Sequence, residues 1–169
     1  MREADQPRRK LLLADANILI DLVQAGGVRL IGDLVRFGIA EVHVPRTIYD
    51  EVSREISESK VVSLGITILP VTEDLSRKVL AYPDRRLSRP DRALLLMAKE
   101  MGYGVWSNDR ILRANCVKQG VEVFWEFQVL LELVTRGHLT KEALVALARA
   151  VGEKNIFMKE VADDLANEL

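Results

Sequence analysis

The chain has 169 residues, 24 of them basic and 25 acidic, for a formal net charge of −1. That length suits one compact domain, the 49% hydrophobic share excludes a disordered chain, and near-neutrality excludes a uniformly basic nucleic-acid binder while leaving room for a local basic face. One cysteine, Cys116, and two histidines, His43 and His138, exclude an internal disulfide and a Cys-rich zinc site.

Leu11 to Ala14 is a continuous apolar run and reads as a short buried strand of a parallel sheet. Ile18 to Ala25 reads as a helix stopped by Gly26-Gly27, and Val28 to Phe37 as a second, with Leu30, Leu34 and Phe37 on one face. Glu41 to Val44 is the second strand and Pro45 stops it. Arg46 to Ser57 reads as one helix, and Ile66 to Leu69, between Gly65 and Pro70, as the third strand. Thr72 caps a helix reaching Ala81. After the polar loop Tyr82 to Arg86, Ser88 caps a helix with Pro90 in its first turn, running to Met101. Val105 to Ser107 is the fourth strand, Asp109 to Lys118 a helix, Val121 to Phe124 the fifth strand, and Glu126 to Arg136 a helix ended by Gly137. Strands separated by helices at this rhythm predict a parallel α/β sheet. Residues 1–137 are expected to form the main domain, and 138–169 a helical extension packed on it. In that extension Lys141 to Val151 reads as a helix ended by Gly152, and Phe157, Val161, Leu165 and Leu169 as the apolar stripe of another. The stripe's default use is packing on its own domain; a dimer interface or a partner's helix are the alternatives.

No apolar run approaches the ~20 residues a membrane span needs. Asp15, Asn17 and Asp21 break too early the apolar stretch behind the charged segment Met1 to Lys10, so no secretory leader is expected. A soluble cytoplasmic protein with no membrane association is the expectation.

Four acids stand out: Asp15 after the first strand, Glu51 after the second, Asp91 in the first turn of the helix capped by Ser88, and Asp109 after the fourth strand. Each has a structural explanation. Asp15 or Asn17, and Asp109 or Asn108, can cap the helices they precede. Ser88 and Asp91 have capping-box spacing, and Glu51 can pair in solvent with Arg54. Together they have another. Asp15 and Asp109 follow the carboxyl ends of strands, where ligands bind in open α/β sheets. If strands one and four are neighbours, these acids face each other across the crevice, with Asp91 and Glu51 close by. Clustered carboxylates repel and call for a hard divalent cation, magnesium or manganese.

These segments resemble the PIN-domain ribonucleases. The matching pieces are Asp15 to Ile20 after the first strand, Pro45 with Glu51 six residues on, Ser88 to Ala98 carrying Asp91, and Ser107 to Leu112 carrying Asp109. The nearest group looks like the VapC-type toxins of toxin–antitoxin pairs. The resemblance covers about Leu11 to Leu131 and implies a three-layer α/β/α fold with a central five-stranded parallel sheet. It also implies Asp15, Glu51, Asp91 and Asp109 as metal-binding catalytic acids, with Asn17 and Ser107 as helpers. The activity it implies is Mg2+- or Mn2+-dependent cleavage of RNA, often by a homodimer, with an antitoxin as a further partner. Asp50 adjoins Glu51, and adjacent helical positions do not share a face. Glu51 is preferred because Ile48 and Val52 mark a buried stripe next to it. The extension after Gly137 is longer than the minimal family core.

Two divalent cations about 4 Å apart can activate water, neutralise a phosphate and stabilise a leaving oxygen. Asp15 is the expected central ligand, aided by Asp91 and Asp109, with Glu51 holding a second metal or orienting the water. RNA contacts are expected from Arg85, Arg86, Arg89 and Arg92 beside Asp91, from Arg110 and Arg113 after Asp109, and from Asn108. A solvated charged face is the competing reading of those arginines. His43, His138, Trp106 and Cys116 read as structural, and Trp125 as core or rim. A PIN-like module that binds without cleaving is the alternative from another class. A nucleotide-dependent phosphotransferase is disfavoured by the lack of Gly-x-Gly-x-x-Gly and Walker-type sequences.

Overall fold

The computed structural model describes residues 10–169; of Arg8-Arg9-Lys10, which the sequence suggests is a solvated tail, Arg8 and Arg9 lie outside them, whereas Lys10 begins the first strand and pairs with Glu132 at 3.5 Å. Five strands form the sheet: β1 (Lys10–Ala14), β2 (Ala40–Pro45), β3 (Thr67–Leu69), β4 (Gly104–Trp106) and β5 (Val123–Phe124). All neighbouring pairs are parallel, in the order β3-β2-β1-β4-β5. The chain therefore builds outward from β1 to one edge, then returns to the other side of β1 with β4. That reversal is the switch point, and β1 and β4 are neighbours there, as the crevice argument required. Leu12, Leu13 and Ala14 of β1, and Val105 and Trp106 of β4, have no exposed surface. Both sides of these central strands are covered, which is why they read as unbroken apolar runs.

The helices are α1 (Ala16–Gln24), α2 (Arg29–Arg36), α3 (Arg46–Val52), α4 (Glu58–Ser63), α5 (Glu73–Ala81), α6 (Arg89–Met101), α7 (Arg110–Lys118), α8 (Glu126–Thr135), α9 (Lys141–Lys154) and α10 (Lys159–Glu168). They flank the sheet in two groups: α9 packs on α1 and α8, and α6 packs on α5 and α7. Among the described residues no helix is long and apolar enough to cross a membrane.

Three expectations are corrected. The helix expected over Arg46 to Ser57 stops short, and a separate helix follows it. α3 ends at Val52, and Ser57 caps α4 by accepting from the Lys60 backbone N–H at 3.3 Å. Gly152 does not end α9 but lies within it, because α10 crosses there: a Cβ on Gly152 would stand 3.1 Å from the Lys159 Cα. The stripe Phe157–Val161–Leu165–Leu169 is broken at its first member. Phe157 lies in a 3-10 turn (Ile156–Met158) and is 88% exposed, while Met158 takes the buried place. Trp106 and Cys116 are fully buried, and His138 stacks flat on Phe37 at 3.7 Å.

Candidate functional site

The β1–β4 pairing sets the site. Leu12 pairs with Gly104 and Ala14 with Trp106, so the next residues of the two strands, Asp15 and Ser107, emerge side by side. The Asp15 backbone N–H donates to the Trp106 carbonyl at 3.0 Å, and the Ser107 N–H to the Phe124 carbonyl at 3.1 Å. Above this frame the Asp15 carboxylate is held from two sides. Oδ1 accepts from the Ala16 N–H at 2.6 Å, and Oδ2 accepts the Ser107 hydroxyl at 2.7 Å. The same Ser107 oxygen accepts the Asp109 N–H at 3.0 Å. One hydroxyl thus ties the acid after β1 to the acid after β4.

The structural and functional readings of the aspartates are both realised. Asp15 caps α1, and Asp109 caps α7 by accepting the Leu112 N–H at 2.7 Å. Asp91 closes a capping box on α6: the Ser88 oxygen accepts the Asp91 N–H at 3.1 Å, and Asp91 Oδ2 accepts the Ser88 N–H at 3.3 Å and hydroxyl at 2.6 Å. Capping fixes each carboxylate at the start of a helix, where the backbone dipoles favour negative charge, and the starts of these helices meet.

The acids sense one another. Asp15 is 3% exposed, and its carboxyl is pushed up to about 7, first by loss of hydration, then by the charges of Asp91 and Asp109, against the lowering bonds from Ser107 and Ala16. Asp91 is raised by burial and by Asp109, and Glu51 by partial burial and by Asp91. Asp50 and Glu51 are separated by the same logic. Glu51 feels Asp91, whereas the charge of Asp50 acts on Arg46, which is already bonded to Glu58 at 2.9 and 3.0 Å. Among the described residues no three or more acids, histidines or cysteines are grouped closely enough to hold a metal ion as they stand. The donor set is nonetheless one that suits magnesium or manganese: hard carboxylate oxygens.

The surrounding polar groups divide by exposure. Arg89 and Arg110 are exposed, whereas Arg92 is 6% exposed and turned into the protein. Asn17 is exposed beside Asp15. Arg113 stacks over the Trp125 ring at 3.6 Å and donates to the Ser107 carbonyl at 3.2 Å. The loop before α6 is pinned by Asn115, which accepts the Tyr82 hydroxyl at 2.9 Å and donates to Asp84 at 3.1 Å. These bonds and the Arg86 guanidinium hold the Asp84 carboxyl well below the usual carboxylate range.

A second pair of acids escaped the sequence reading. Glu126 is fully buried and raised to about 8, by loss of hydration and then by the charge of Asp21, itself 5% exposed. Asn108 joins Glu126 in a two-bond ring: its amide donates to Oε2 at 2.8 Å, and its carbonyl accepts the Glu126 N–H at 3.1 Å. Asn108 therefore fixes the loop carrying Asp109 instead of facing outward. The sequence did carry a signal. Asp21 and Glu126 are lone acids inside the apolar runs Ile18 to Val23 and Val123 to Leu131, positions the neighbouring pattern buries.

Beside Asp109 a groove of about 560 Å³ opens between the β4–α7 loop and the turn joining α9 to α10. Asn17, Asp109, Trp125 and Phe157 are among the residues lining it.

No protein-family model matches the sequence, and no curated protein matches it either. Solved structures do. A PilT N-terminus (PIN) domain protein from the hyperthermophilic archaeon Sulfolobus solfataricus P2 superposes with a TM-score of 0.55, at 10% identity, over 72% of this chain and 92% of that one. At that identity the likeness is one of fold: the chain is an α/β domain of PIN-like architecture, with its acids at the switch point of the sheet.

Proposed function

We propose that this chain is a metal-dependent endoribonuclease that hydrolyses RNA phosphodiester bonds at the crevice between β1 and β4. The observation that carries the reading is electrostatic. Asp15, Glu51, Asp91 and Asp109 come from four separate elements, and three of them are raised by one another's charge as well as by burial. A fold that buries repelling carboxylates without a cation beside them loses stability; a site that receives one does not.

Asp15, Asp91, Asp109 and Glu51 would hold magnesium or manganese. Bound there, the cation supplies positive charge to the scissile phosphate and acidity to a coordinated water. The chain's own part is positioning. Ser107 and the Ala16 N–H orient both oxygens of Asp15, and Ser88 orients Asp91. Glu51, on the exposed side, suits the task of orienting water. Arg89 and Arg110 suit the flanking phosphates through their forked geometry. The order of the motifs supports a finer proposal, a cytoplasmic VapC-type toxin acting as a homodimer and restrained by an antitoxin.

The test is cleavage of single-stranded and structured RNA by the purified protein, in manganese and in chelator, beside Asp15→Asn. Metal-dependent cleavage that disappears in the variant is expected. If both proteins leave every RNA intact in manganese, the nuclease reading falls and a non-cleaving binding module takes its place.

A further inference from the structure

Phe157 is the most exposed large apolar side chain among the described residues, at 88%, yet it is not loosely mounted. Its backbone N–H donates to the Asn155 side chain at 3.2 Å, and the Asn155 amide donates to both oxygens of buried Asp21 at 3.1 and 3.3 Å. A buried carboxylate in α1 thus anchors the turn that presents an aromatic ring to solvent. Across the same groove stands Trp125, half-buried and held by the Arg113 guanidinium at 3.6 Å. Arg113 is fixed in turn by the Ser107 carbonyl. Two aromatic residues, Trp125 held at its ring and Phe157 at its backbone, share one groove with Asp109 and with Asn17, two residues beyond Asp15. Its volume, about 560 Å³, falls within the roughly 300–1,000 Å³ of small-ligand sites.

We propose that this groove is a nucleobase subsite, in which the extension after α8 supplies Phe157 and the main domain supplies Trp125, to take an unpaired base next to the phosphate held at the acids. The inference rests on the nuclease reading for its choice of RNA. Stacking explains what packing does not: a flat apolar ligand covers exposed Phe157 without requiring the groove to close. Asn17 offers amide hydrogen bonds to base edges. Every base has a π-face, so the subsite selects single-stranded over paired RNA before it selects sequence.

Tryptophan fluorescence tests this. The chain has two tryptophans; Trp106 is fully buried and Trp125 lines the groove, so quenching by ligand reports on Trp125. Single-stranded hexaribonucleotides are titrated in calcium buffer against hexamers of abasic ribose phosphate, with Phe157→Ala, Phe157→Tyr and Trp125→Phe alongside. The expected result is quenching by base-bearing RNA only, its loss in Trp125→Phe, roughly tenfold weaker binding in Phe157→Ala, and recovery in Phe157→Tyr. Equal binding of abasic and natural hexamers, unchanged affinity in Phe157→Ala, or no quenching by any RNA overturns the subsite. The last result would leave the groove to a protein segment. Metal-dependent cleavage by a protein indifferent to the bases would overturn the subsite and spare the nuclease reading. Base-dependent quenching without cleavage would uphold the subsite and remove the nuclease.

Discussion

Asp15 is 3% exposed and has no cation bonded to it among the described residues. Its folded carboxyl keeps its proton up to about pH 7, whereas the unfolded one releases it near 3.8. Between those values the native state holds more protons than the unfolded state, so stability falls as pH rises. Glu126 acts in the same direction from 4.5 up to about 8. Chemical denaturation in chelator should therefore show stability declining from pH 5 to pH 8. Asp15→Asn should flatten part of that decline and make the metal-free protein more stable at pH 8, by on the order of 2 kcal/mol. Glu126→Gln should flatten the upper part, since an amide oxygen can still accept from Asn108. A wild-type profile that rises over the interval would contradict both assignments. Asp15 and Asp109 were legible in the sequence because each follows an apolar strand. Glu126 was read only as the start of a helix, because its partner Asn108 and the charge of Asp21 arrive from elsewhere in the chain.

Helix starts do much of the positioning. The box on α6 holds Asp91 through Ser88, so Ser88→Ala should cost about 1 kcal/mol of stability. It should lower RNA cleavage by more than that loss explains, because Asp91 is then free to turn away. Thermal melting beside cleavage rates separates the two effects; equal behaviour of mutant and wild type in cleavage would reduce the box to a cap. At Gly152 the near contact with the Lys159 backbone predicts that Gly152→Leu drives α10 away from α9 and lowers the melting temperature by several degrees. Apolar periodicity and capping residues fixed the order and kind of most elements from the sequence. The α3–α4 break was not legible: α4 is six residues long, too short to show helical periodicity. Gly152 resembled a terminator because the missing Cβ suits glycine both to the left-handed turn that ends a helix and to a close crossing.

At the scale of the molecule, the sheet order joins distant segments. Asp15 and Ser107 are 92 residues apart in sequence and bonded at 2.7 Å, because β4 returns beside β1. The sequence reading could state that neighbourhood only as a condition, since strand order is a property of packing and not of any single segment. The extension was the least legible part. Phe157 belonged to an apparent apolar stripe, and only the 3-10 turn and the Asn155–Asp21 anchor reveal that it faces outward. The central claim is that four carboxylates from different elements act as one cation site. Calorimetric titration of the metal-free protein with manganese, beside Asp15→Asn and Asp91→Asn, tests it most directly. The account predicts saturable binding that releases protons at pH 6 and is lost or weakened at least tenfold in both variants. Binding unchanged in the variants, or no binding by the wild type, would contradict it.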